Sequence, residues 1–167
     1  MRFVRLLAPL LLLTAAASAA DIGSTFREGV LGVPWGASLD TLIGIYPDGE
    51  HSFATTPGQR SYAVRDGQTF LGIPREHASV RYGLDEQNKV AIVAVAYPFE
   101  RKEELRDVLL QLFGPPLFNR TWQNGEIQYG WGARAGWIAT VRILGEPRYQ
   151  LVWLTIVTPS YKVESNK

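Results

Sequence analysis

From Ile127 to Val157 the chain alternates side chains with a period of two, and turn residues interrupt the alternation twice. That period belongs to extended strands, whose successive side chains point to opposite faces. "GEIQYGWGA", "GWIATVRIL" and "RYQLVWLTIVTP" therefore read as antiparallel strands, joined by the loops "ARAG" and "GEP". Ile127, Tyr129 and Trp131 share one face of the first strand, and Gln128, Gly130 and Gly132 the other. On the second, Trp137, Ala139, Val141 and Ile143 alternate with Ile138, Thr140, Arg142 and Leu144. On the third, Leu151, Trp153 and Val157 alternate with Val152, Leu154 and Ile156. One of the two faces must meet helices to be buried.

Helical spacing appears in two places. Ser38 is an N-cap for a helix carrying Leu39, Leu42, Ile43 and Tyr46, which Pro47 stops. "FERKEELRDVLLQLFGPP" is the clearer helix, with Leu105, Val108, Leu109, Leu112 and Phe113 in one stripe. Glu103 and Glu104 suit its N-terminal dipole, and Gly114 with Pro115 ends it.

Between these helices, "DGEHSFATTPGQRS" reads as a loop, "SYAV" as a short strand, "RDG" as a turn and "QTFLGI" as another strand. "ASVRYGLDEQNKVAIVAVAYP" reads as a hairpin with "DEQNK" at its tip. "VAIVAVAY" is almost wholly apolar, as expected of a strand covered on both faces.

"DGQTFLGIP" at 66–74 aligns with "NGEIQYGWG" at 124–132, and each follows a helix and precedes a long hairpin. The expected architecture is α+β: a tandem duplication of a helix plus three or four antiparallel strands, with the helices on one face of the sheet. Repeat one would span 30–99 and repeat two 100–160, within a single domain 21–160, followed by a polar tail 161–167.

The second half, "LFGPPLFNRTWQNGEIQYGWG", resembles the small outer-membrane β-barrel assembly lipoproteins, which run helix, Leu-Gly-x-Pro, short loop, then Trp and Tyr at strand spacing. The matching residues are Leu112, Gly114, Pro116, Trp122 and Tyr129, and "WGASLDTL" before the first helix is a weaker version. The tandem arrangement is similar to the β-lactamase inhibitory proteins, whose two α/β halves form a concave sheet. The resemblance implies that fold and a role in the cell envelope or in inhibition. The chain has no cysteine, so it lacks both the lipid-anchor residue of the first family and the disulfides of the second.

Residues 1–20 read as a secretory signal: two arginines, an apolar run too short to span a bilayer, and "ASAA" before Asp21. Cleavage after Ala19 or Ala20 would send the chain to a periplasm or outside. It would also lower the basic residues from 17 to 15, against 16 acidic ones. No cluster of positive charge remains, which argues against a nucleic-acid partner.

The chemistry-bearing residues are sparse. His51 and His77 lie in polar loops, far apart, with no cysteine to join them, so no metal is expected. No cofactor motif is present: no nucleophile elbow, and "GWGARAG" lacks a phosphate-loop Lys-Ser/Thr. Asp85, Glu100, Glu103 and Glu104 are the carboxylates available to a small envelope hydrolase, though they sit where solvated carboxylates usually lie. The expectation is a non-enzymatic, exported protein-binding module. Its candidate contacts are Arg134, Trp137, Trp131, Tyr129 and Arg142, since Trp, Tyr and Arg anchor most interfaces; Tyr129, Trp131 and Trp137 read equally as core beneath the second helix, and Arg134 and Arg142 are the exposed pair.

Overall fold

The computed structural model describes residues 21–53, 60–76, 79–123, 125–132, 136–143 and 151–161. The expected signal 1–20, Arg134, His77, the loop "GEP" and the tail 162–167 lie outside the described residues. The fold is α+β and mostly sheet. Its helices are α1 (Ile22–Thr25), α2 (Leu39–Ile45) and α3 (Lys102–Phe113). Its strands are β1 (Glu50–Phe53), β2 (Arg60–Arg65), β3 (Ser79–Leu84), β4 (Val90–Pro98), β5 (Phe118–Thr121), β6 (Ile127–Gly132), β7 (Ile138–Ile143) and β8 (Leu151–Val157). All eight form one antiparallel sheet in the order β1-β2-β3-β4-β8-β7-β6-β5. Each run of four strands is a meander, and β4 pairs with β8 at the centre.

Local chemistry explains most boundaries. The Ser38 hydroxyl accepts the Thr41 amide at 3.2 Å and caps α2. Gly114, at φ 74°, ends α3. Asp85 shapes the β3–β4 turn, its Oδ1 accepting the amides of Gln87 and Lys89 at 2.9 Å each.

Register sorts the strand residues onto two faces. Val80, Tyr82, Val93, Val95, Val141, Val152, Leu154 and Ile156 face one way and are buried, in one apolar cluster with Leu42 of α2 and Leu105 and Leu109 of α3. The opposite face carries Arg81, Ala94, Thr155, Thr140, Trp153, Arg142, Gln128 and Arg120, none of them buried. The strand "VAIVAVAY" is buried along its core face, and on its other face Ala96 is buried beside Trp153 while Ile92 and Ala94 are partly exposed.

Three expectations change. Residues 50–53 are the edge strand β1 rather than loop. "FNRT" is a second edge strand, β5, which its short length and exposure hide from a periodicity reading. "QTFLGI" is not a strand. Phe70 and Ile73 exchange both backbone hydrogen bonds at 3.1 Å around Leu71 (φ 54°) and Gly72 (φ 77°). Two left-handed residues in succession make the tight turn that closes a hairpin. The alignment of 66–74 with 124–132 thus sets a turn against strand β6.

The same turn occurs once more. "VLGVPW" at 30–35 matches "FLGIPR" at 70–75. Val30 and Val33 exchange their hydrogen bonds at 3.0 and 3.1 Å, around Leu31 (φ 52°) and Gly32 (φ 77°). Each turn is held by a tyrosine. The Tyr46 hydroxyl lies 3.0 Å from the Leu31 carbonyl, and that of Tyr97 lies 3.4 Å from the Phe70 carbonyl.

Candidate interface on the open face of the sheet

Polar groups collect in two places, one buried and one exposed. The buried set lies between the two Leu-Gly turns and the first four strands. Arg75 has no exposed surface. Its Nε donates to the Ala96 carbonyl at 3.1 Å and its Nη1 to the Gln68 carbonyl at 3.3 Å, while its guanidinium lies 5.7 Å from the Tyr97 ring centre. Its Nη2 has no hydrogen-bond partner among the described residues. Asp66 is also buried; its Oδ1 accepts the Gln68 amide at 2.8 Å and its Oδ2 lies 2.9 Å from the Tyr46 hydroxyl. The rings of Tyr46 and Tyr82 stack at 6.0 Å. Burial is the main cause of the altered acidities here: it pushes the phenols of Tyr46, Tyr82 and Tyr97 above the ordinary range and lowers Arg75. These groups hold the twin turns against the sheet, which is a structural task.

The exposed set lies on the other face. Arg81 of β3 stacks over Trp153 of β8, its guanidinium 5.0 Å from the ring centre. Trp153 pairs across β7 with Arg142, whose Nε donates to Glu126 Oε1 at 2.6 Å and whose Nη2 donates to Oε2 at 3.1 Å. That bidentate pair raises Arg142 above its ordinary value. Next in the same cross-strand row come Gln128 and then Arg120. The Arg120 guanidinium lies 6.0 Å from the Phe118 ring centre and 5.6 Å from that of Trp122. Between these larger groups the face is floored by Ala94, Thr140 and Thr155, which are partly exposed, while Ala96 is buried and Gly130 lies under the Phe118 ring.

The sequence candidates fall on both sides of the sheet. Arg142 is on the open face, held by Glu126. Trp131 is a correction: it is 3% exposed, and its indole N–H donates to the Gly114 carbonyl at 2.9 Å, locking β6 to the end of α3. A ring so placed cannot meet a partner. Tyr129 is half-buried on the same side, tilted against Trp131 at 6.4 Å. Trp137 is half-buried edge-on against Trp35 at 5.4 Å, so it packs the 21–37 segment onto the sheet. The alternation that pairs Tyr129 with Trp131 and Trp137 with Ala139 is the reason all of them turn inward. Arg81, Trp153, Arg120, Phe118 and Trp122 were missed. The signal for Arg81 and Trp153 was their parity, opposite to Val80, Tyr82, Leu154 and Ile156.

Three of the four carboxylates available for hydrolysis have partners within the fold. Asp85 is committed to its turn, Glu103 pairs with Arg106, and Glu104 pairs with Arg101. His51 stands on β1, edge-on against Tyr62 at 5.7 Å. Among the described residues no group of three or more His, Cys, Asp and Glu is placed to hold a metal ion. An open groove of about 470 Å³ runs between the α2–β1 loop and the ends of β2 and β3, lined by Tyr46, Asp48, Glu50, Arg65 and Ser79 among others. No protein-family model matches this chain, and neither a curated protein nor a solved structure matches it.

Proposed function

We propose that the chain is an exported, non-enzymatic protein-binding module of the inhibitor, immunity or envelope-accessory kind, and that it binds through the open face of its sheet. The observation that carries this reading is the pairing of arginines with tryptophans on a face outside the buried cluster: Arg81 over Trp153, and Arg120 over Trp122. Partly exposed pairs of this sort contribute only about 0.5–1 kcal/mol to a fold. The same residue types supply most binding energy when a partner buries them. Export is supported by the leader-like segment 1–20. Among the described residues no helix is long and apolar enough to cross a membrane.

The recurrence of helix and four strands, α2 with β1–β4 and α3 with β5–β8, supports a tandem duplication with the helices on the core face. The two halves would then present one continuous open face, joined at β4 and β8.

Immobilised protein should retain a partner from a periplasmic extract of its own host. Arg81→Glu with Trp153→Ala should abolish retention and leave the circular dichroism unchanged. If the wild type retains nothing, or the double variant retains the same partner equally, this reading fails.

Gly114, which ends α3, belongs to the stretch that resembles the assembly lipoproteins. On that resemblance alone, a second version has an outer-membrane assembly component as the partner. Deletion should then raise detergent and antibiotic sensitivity, and unchanged sensitivity removes that version.

A further inference from the structure

We propose that β5 is a strand-addition site, which takes an extended, carboxylate-bearing segment of a partner protein as a ninth strand. The proposal rests on the protein-binding reading above and names the partner's chemistry at one edge of the open face.

The backbone is available there. β5 ends the sheet, so its outer edge has no strand neighbour among the described residues. The Trp122 amide donates to the Glu126 carbonyl at 2.8 Å, toward β6. Positions that bond to a given neighbour alternate along an antiparallel strand. In the register that sets Arg120 opposite Gln128, Thr121 and Asn119 therefore turn their amides and carbonyls outward, while the Leu117 amide, one residue off that alternation, also donates to the Gly130 carbonyl at 2.8 Å. Extended peptides recognise such rows by completing the ladder.

The edge is short and carries the charge of Arg120, two devices by which natural sheets blunt their edges, yet no strand covers it among the described residues and large apolar side chains stand along it. β5 reads Phe-Asn-Arg-Thr, with every residue exposed. Leu117 precedes it at 76% exposure and Trp122 follows it at 47%, and Phe118 itself is 41% exposed. These are three of the six exposed large apolar side chains among the described residues, gathered on one edge. The Phe118 ring lies across Gly130, where any Cβ would run into it. Glycine there lets the ring lie flat on the open face.

Charge selects the occupant. Arg120 is the single charged residue between Leu117 and Gly125. Two rings flank its guanidinium, and it has no ion-pair partner among the described residues. A strand with a carboxylate facing Arg120 and apolar side chains over Phe118 and Trp122 satisfies all of these groups together. A second copy of this chain fits worse. A centred antiparallel pairing of two β5 strands sets Arg120 against Arg120, which is unfavourable. A pair of such short strands also falls well below the roughly 1,200 Å² that stable interfaces bury.

The test uses a capped peptide of alternating glutamate and valine, with a lysine–valine peptide as its control. Amide hydrogen exchange is followed by NMR on the protein spanning residue 21 onward. The glutamate peptide should slow exchange at Asn119 and Thr121 and bind about tenfold or more tighter than the lysine peptide. Arg120→Glu should invert that preference. Thr121→Pro, which removes an outward amide from an exposed edge, should abolish protection at Asn119. Three results would overturn strand addition: no protection at Asn119 and Thr121, equal affinity for both peptides, or protection that appears on concentrating the protein alone. Shifts confined to Arg81 and Trp153 would overturn strand addition while leaving the open-face reading intact.

Discussion

Arg75 and Arg120 both lie against aromatic rings, yet one is sealed inside the first half and the other stands open on the second. Arg75 has no exposed surface and works on backbone carbonyls, with Asp66 and the tyrosines close by. Arg120 is exposed, flanked by Phe118 and Trp122. The tryptophans repeat the contrast: Trp131 is buried and hydrogen-bonded, and Trp122 is nearly half exposed. Similar chemistry fastens the fold in one place and stands exposed in the other. Burial decides which, because a desolvated polar group must be satisfied within the fold and an exposed one need not be.

Substitutions can break this contrast. Trp131→Ala should cost about 3–5 kcal/mol in urea denaturation, from lost packing and the orphaned Gly114 carbonyl. Trp122→Ala should stay within about 0.5 kcal/mol, as exposed positions do. Arg75→Ala should cost about 3 kcal/mol, since it leaves buried carbonyls and Asp66 without their cation. Arg120→Ala should change stability by less than about 0.5 kcal/mol. Comparable losses within either pair would end the distinction.

The twin turns sharpen it at a smaller scale. Gly32 and Gly72 share a φ of 77°, and an added Cβ would meet nothing within 4 Å at either one. Only backbone conformation is at stake, so Gly32→Ala and Gly72→Ala should each cost about 1 kcal/mol. Unequal losses, measured by thermal melts, would show that the turns are not mechanically equivalent.

A further contrast concerns pH. Tyr82 and Tyr97 have phenols raised by burial, so the folded state favours their protonated form. Their stability contribution is whole below the unfolded value of about 10 and is lost as pH rises toward the folded value. Each such phenol removes up to about 1.4 kcal/mol per pH unit across that window. Tyr82→Phe should flatten the alkaline decline of stability, and an unchanged slope would count against a buried, neutral Tyr82.

Much of the sheet was legible in the sequence because its strands alternate cleanly. The β3–β4 hairpin, α2 with its Ser38 cap, α3, and the face assignments of β6, β7 and β8 all follow from spacing. The turn at 70–73 was not legible as a turn, because a leucine in a left-handed conformation is rare and "TFLGI" has strand composition. β1 and β5 escaped for the opposite reason: short edge strands have no buried face to impose a period. The candidate interface was half legible. Alternation separated two faces but did not tell which one the helices would cover, so Trp131 and Tyr129 were weighed beside Arg142 although they point the other way.

The central claim is that the open face, and not the helical side, meets a partner. Site-specific photo-crosslinking in the native host tests it most directly, with the reactive side chain placed at Trp153, at Trp122 or, on α3, at Glu103. The account predicts one crosslinked protein common to the first two positions and none from Glu103. A crosslink from Glu103 with none from Trp153 and Trp122 would contradict it.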